Sequence, residues 1–312
     1  MEWIGSPVAD GIISMRTVLY IALGIFGAAF TWFWIVAVLS DRTERERPTL
    51  LDLGIGLVVN FFDALGIGSF ATSTSCFKLW NLVADEQIPG TLNVGVTLPA
   101  VLEAFLYMAV VDVDAVTLTS MITAAVVGSW LGARVVSRWP RRKIQIGMGI
   151  TLLITATFGM LTQLHFFPGG GDLLGLTGPK LIVAVAVSGA LGALMTLGIG
   201  FFAPCMMVIY LMGMNPKAAF PVMMGSVAFL GPVASVPFIR QRRYSLKSAL
   251  GLTLGGIPGV LLAAYLVKSL PLGAVRWLVI VVVVYTASMM LRSAMQERAR
   301  VKLAVEQIPE MP

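Results

Sequence analysis

Apolar residues run in blocks long enough to cross a bilayer, and the charged residues sit in short clusters between them. The first block, Thr17 to Leu39, is too long for a signal-peptide core and has no small-residue cleavage site behind it, so it predicts a true span. Single spans are predicted over 115–138, 143–163, 246–267 and 273–292. Two regions read differently. Between Leu51 and Val111, and again between Leu181 and Phe238, three apolar segments follow one another, two of them short and interrupted. The interruptions are Leu65-Gly66-Ile67-Gly68-Ser69-Phe70-Ala71 and Leu197-Gly198-Ile199-Gly200-Phe201-Phe202-Ala203, one phrase written twice with a single difference.

Composition sharpens this picture. Of 312 residues 57% are apolar and 12% charged, with a mean hydropathy of +0.88. A soluble domain carries about a quarter charged residues, so a water-soluble enzyme is excluded and an all-α polytopic membrane protein is expected. The net charge of +6 would suit nucleic acid, but the basic residues lie in the turns between spans and read as topology signals. Arg42, Arg45 and Arg47 follow the first span. Further clusters are Arg134, Arg138, Arg141, Arg142 and Lys143, then Arg240, Arg242, Arg243 and Lys247, then Arg292, Arg298, Arg300 and Lys302. All four are expected on the cytoplasmic side of a cell (inner) membrane, with the N-terminus outside and the C-terminus cytoplasmic. Cys76 and Cys205 lie in apolar stretches and form no disulfide framework or metal signature, and His165, the single histidine, stands at a span end. No cofactor, no metal and no nucleic-acid partner is expected.

The repeated phrase continues in register. Pro89 falls on Pro221, and after a one-residue gap Gly128 falls on Gly259 and Pro140 on Pro271. The turns matched in this way carry opposite charge character, Asp112 to Asp114 against Arg240 to Arg243, so the two halves are expected to cross the bilayer in opposite directions, as inverted repeats do in many secondary transporters. The divisions implied are 1–50 for the extra N-terminal span and loop, 51–165 for the first repeat, 166–180 for an external loop, 181–293 for the second repeat and 294–312 for a cytoplasmic tail. A duplication kept for close helix packing would also use small residues, but it would need neither matched interruptions nor short segments beside them.

A helix broken inside lipid frees backbone groups that must line a cavity or be buried in protein. If Gly66 and Gly68 break the chain, a half-helix begins near Ser69 with free N–H groups and a positive dipole end, followed by the hydroxyls of Thr72, Ser73, Thr74 and Ser75. That chemistry suits the oxygens of a small anion without a buried arginine. Gly198 and Gly200 offer a second break, with a half-helix expected from Pro204. Asn93, Thr97 and Ser226 are candidates to complete the site, interhelical bonding being the plainer role for each. Lys78 either adds positive potential near the anion or snorkels to the interface, and Lys217 reads as a solvated surface residue. Asp63 and Glu103 are candidate proton-coupling groups or neutral structural carboxyls. Cys205 reads as a small buried hydrophobe.

These paired glycine-rich breaks, the prolines of the turns behind them (Pro89, Pro216) and the later spacings Gly128 with Gly132 and Gly255 with Gly259 resemble the sulfite exporter TauE/SafE family of membrane permeases, over about residues 51–292. The resemblance implies transport, chiefly export, of sulfur-containing anions such as sulfite or organosulfonates like sulfoacetate. The expected function is thus a secondary transporter working by alternating access, with proton coupling as an option. An anion channel, a thiosulfate or sulfate uptake permease and a non-transporting scaffold are the alternatives. The partners expected are a small anionic substrate and membrane lipid, and a homodimer is compatible with the sequence.

Overall fold

A computed structural model describes residues 15–40, 47–108, 113–164, 166, 171–198, 200–266 and, in part, 277–296. The loop at 41–46, Asp112, His165, Ile199, Pro271 and the basic tail from Arg298 lie outside the described residues. The described chain is helical, with one isolated bridge between Leu173 and Met214. Seven of its helices are long and apolar enough to cross a membrane.

The outlying helix α1 (Met15–Ser40) leans on the bundle through Phe26 against Phe229 and Tyr20 against Phe105. The first half follows as α2 (Leu50–Ala64), α3 (Ser69–Leu79), a 3-10 turn (Asp85–Gln87), α4 (Ile88–Tyr107), α5 (Ala115–Val136) and α6 (Arg141–Gln163). The second half repeats that order as α7 (Gly178–Met195), α8 (Phe202–Leu211), a 3-10 turn (Pro216–Ala218), α9 (Ala219–Arg240) and α10 (Leu246–Leu266), with helical residues again at described positions in 277–296. The expected spans at Thr17–Leu39, 115–138, 143–163 and 246–267 therefore stand, with ends shifted by a few residues, while 273–292 lies partly outside the described residues. The second half-helix starts at Phe202, two residues before Pro204, because a proline in the first turn gives up an N–H that has no intrahelical acceptor.

Both short helices return to the end at which their hairpins began. α2 starts in a capping box at Thr49 and Asp52, and Asp52 also accepts a hydrogen bond from Ser248 at the start of α10. α3 ends beside the start of α4, where Lys78 meets Asp85. In the second half, Met212 accepts from the Lys180 ammonium and Met214 bridges to Leu173, next to the start of α7.

Contacts between the halves have fixed directions. α2 and α10 run parallel: Asp52 meets Ser248 at one end, Asn60 donates to the Leu252 carbonyl, and Ala64 packs with Val260 and Ala263 at the other. α5 and α7 also run parallel, with Gly128 on Gly189 and Gly132 on Ala193. α4 and α9 run antiparallel, Gly90 against Phe238, Thr97 against Gly231 and Ser235, and Gly225 against Met108. Lipid supplies no hydrophobic drive between helices, so van der Waals packing at close approach must hold these pairs. A Cβ at Gly128 would run into the Gly189 carbonyl, and one at Gly255 into the Leu53 carbonyl, which gives the two small-xxx-small pairs read from the sequence a packing role.

One consequence of this arrangement is electrostatic. The ends of α5 and α9 and the starts of α6 and α10 meet, so Arg134, Arg138, Arg141 to Lys143, Arg240 to Arg243 and Lys247 gather at one end of the bundle. Asp114, Asp172, Lys180 and Lys217 mark the opposite end.

Candidate functional site

Both interruptions are real breaks. At the first, the Gly66 N–H bonds back to Asp63 and the Ile67 N–H to Phe62, a Schellman turn whose left-handed position is Gly66 with φ +80°. Only glycine enters that conformation freely. At the second, Gly198 has φ +97° and its N–H bonds to Met195. Each break rests on the other half of the molecule. Gly66 faces the ring of Phe220 on α9, and Gly198 faces Thr74 of α3, Leu92 of α4 and Met148 of α6.

The start of α3 is partly satisfied from within. Asp63, 3% exposed, accepts from the Ser69 N–H at 2.8 Å and from the Ser69 hydroxyl at 2.6 Å. A carboxylate from the preceding helix thus caps the positive end of the next one. Helix geometry leaves the N–H groups of Phe70 and Ala71 in that first turn without intrahelical acceptors.

Most of the hydroxyls behind the break are spent on their own helix. Thr72 donates to the Gly68 and Ser69 carbonyls, Thr74 to Phe70 and Ser75 to Ala71. Ser73 alone of the five is buried with no hydrogen-bond partner. Buried polar atoms are nearly always paired, so such exceptions call for an explanation. Three more of the residues singled out in the sequence share this property. The Ser226 hydroxyl and the Asn93 side-chain oxygen lack partners, the Asn93 amide nitrogen donating to Pro89. Glu103 is 0% exposed and neither of its carboxylate oxygens is hydrogen-bonded. Asp63 and Tyr107 lie within electrostatic range of it, and Tyr107 donates to the Ala64 carbonyl next to the first break. Glu103 stands between the Thr97 and Met108 contacts of α4 with α9, within about one helical turn of the level of Ser226.

Space accompanies these groups. A Cβ built on Gly68 or on Gly200 would meet no heavy atom within 4 Å, although Gly68 is buried. Ser73 and Asn93 are the chain neighbours of Thr74 and Leu92, two of the three residues that meet Gly198. Ser73 and Asn93 thus stand on α3 and α4, two of the helices against which the second break rests.

Other expected residues lie elsewhere or are engaged. Thr97 donates to Asn93 and shares a 3.3 Å contact with Ser235, the interhelical role. The Lys78 ammonium, 11% exposed, is held by Asp85 at 2.7 Å at the far end of α3 from Ser69. Asp85 itself was not legible as a key residue. It is buried and also accepts from Gln145 at 2.7 Å, with Arg141 at 3.5 Å, so it fastens α3 to α6. Its one sequence signal is an acidic residue seven positions after an apparently unpaired lysine. Cys205 is fully buried in the core, as read from the sequence. No group of three metal-ligating side chains occurs among the described residues.

A family model described as Sulfite exporter TauE/SafE matches residues 3–159 and 181–309, nearly the whole chain. The chain belongs to the TauE/SafE family. Among curated proteins and among solved structures, none matches it. Membership makes this a multi-pass membrane protein of a transporter family whose members move sulfur-containing anions.

Proposed function

We propose that the protein carries a small sulfur oxyanion, sulfite or an organosulfonate such as sulfoacetate, out of the cell across the cytoplasmic membrane by alternating access. The observation that carries this reading is the coincidence of unfilled space at Gly68 and Gly200 with the unspent Ser73 hydroxyl and the first-turn N–H groups of α3. An anion needs donors, and these are the donors left over after the helices have satisfied themselves. Gly66 and Gly198 shape the turns, Asn93 and Ser226 line the same interface, and Ser69 acts indirectly by pinning Asp63.

In this reading the halves are inverted repeats with the basic end cytoplasmic. The parallel pairs α2 with α10 and α5 with α7, and the antiparallel pair α4 with α9, are the contacts such a relation requires. Rocking of one half against the other then opens the breaks to each side in turn. Glu103, unpaired in the apolar interior, takes a proton to remain there and releases it when the interface opens, with Asp63 an acidic group within electrostatic range.

Counterflow in proteoliposomes tests the proposal. Labelled sulfite or sulfoacetate should accumulate against an internal pool of the same anion, with thiosulfate and sulfate as comparisons. Flux without counterflow, at rates far above carrier turnover, would favour a channel. Absence of flux for all four anions would remove the proposal.

A further inference from the structure

A cavity of about 560 Å³ opens between α5 and α9 at the basic end, lined by Trp130, Arg134, Arg138, Val236, Arg240 and Gln241 together with neighbouring apolar side chains. We propose that it binds the phosphate of an anionic phospholipid headgroup, with an acyl chain along its apolar wall. Nothing in the transport reading uses these residues.

Three observations carry the assignment. First, Arg134 in the last turn of α5, Arg138 two residues beyond its end and Arg240 at the end of α9 all line the cavity, the Arg240 guanidinium also lying 6.0 Å from the centre of the Phe33 ring on α1, and none of the three has an ion-pair partner among the described residues. Guanidinium forks match phosphate oxygens in paired hydrogen bonds. Second, the cluster is held in shape. The Arg134 guanidinium lies 3.9 Å from the centre of the Trp130 ring, and Gln241 donates to the Ser137 hydroxyl at 2.7 Å, tying the end of α9 to the end of α5. Third, the remaining wall is apolar, formed by Val233, Val236, Pro237 and the Trp130 ring, and the next residues of α5 outside it, Val127, Leu131 and Val135, are each about half exposed, the first two also lining an apolar groove against α7. In a bilayer that flank of α5 faces lipid. A soluble oxyanion would satisfy the arginines but leave this wall uncovered, whereas an amphiphile covers both. Basic pockets between spans are where anionic headgroups bind membrane proteins.

The test uses the full chain in detergent, with native mass spectrometry and added phosphatidylglycerol or phosphatidylcholine. Phosphatidylglycerol should remain bound at concentrations where phosphatidylcholine does not. Arg134→Gln/Arg138→Gln should weaken that binding on the order of thirtyfold. Arg240→Gln, a single change on the opposite wall, should weaken it on its own, and Arg142→Gln on α6 should leave it unchanged. Equal retention of both lipids, undiminished phosphatidylglycerol binding in the Arg134, Arg138 and Arg240 variants, or displacement of the lipid by millimolar inorganic phosphate would each overturn the proposal. The last result would mean a site for soluble oxyanions.

Discussion

Hydroxyl groups crowd the first turns of α3, but in a helix a serine or threonine reaches its own carbonyl four residues back, and once it does so its proton is no longer free. Thr72, Thr74 and Ser75 have made that choice and Ser73 has not. Ser73→Ala should therefore raise the KM for the transported anion about tenfold, the scale of one hydrogen bond to a charged group. Thr72→Ala should change it by no more than about twofold, and transport assays on the two variants side by side check the difference. Glu103 poses a second residue-scale question. Glu103→Gln keeps the shape and removes the ionisable group, so flux in reconstituted vesicles should lose its response to an imposed pH gradient while counterflow of the anion persists. A pH-gradient response equal to that of the native chain would assign coupling to another group.

At the scale of elements, the breaks and the fastening of the short helices separate cleanly. Gly200 borders open space and does not lie in the left-handed region, so Gly200→Leu can be accommodated in the fold while filling the volume proposed for the anion. Insertion and thermal stability should be retained and transport lost. Native flux from this variant would count against the site. The Asp85 hub concerns stability instead. Asp85→Asn strips the carboxylate from Lys78 and Arg141 and leaves a largely buried ammonium without its counter-charge. Removing one partner of a buried pair costs about 3 kcal/mol, so the melting temperature in detergent should fall by several degrees. A variant as stable as the native chain would show that α3 is held by packing alone.

For the whole molecule, the direction of each half across the bilayer is the property on which alternating access rests. In a Cys76→Ser/Cys205→Ala background, Lys217→Cys should react with a membrane-impermeant thiol reagent in intact cells. Arg142→Cys should react only after permeabilisation. The reverse pattern would turn the molecule over, and labelling of both from outside would contradict their placement at opposite ends of the bundle. The two positions stand at opposite ends of the bundle, Lys217 within the 3-10 turn beyond α8 and Arg142 in the first turn of α6, so one experiment reads both halves.

The sequence by itself determined the membrane class, the spans, the duplicated breaks and the gathering of arginines in turns, because all of these follow from local composition and from glycine's singular backbone freedom. Helix ends agreed to within a few residues for the same reason. Partnership was decided only in three dimensions. Nothing local in Asp63 says that it caps α3, nothing in Lys78 says that Asp85 holds it, and nothing in Arg134 says that Arg240 stands across a cavity from it. Whether a buried polar group is spent or unspent depends on every atom within reach, and that neighbourhood is assembled from segments six or seven residues apart, as for Asp63 and Lys78, up to a hundred or more, as for Arg134 and Arg240.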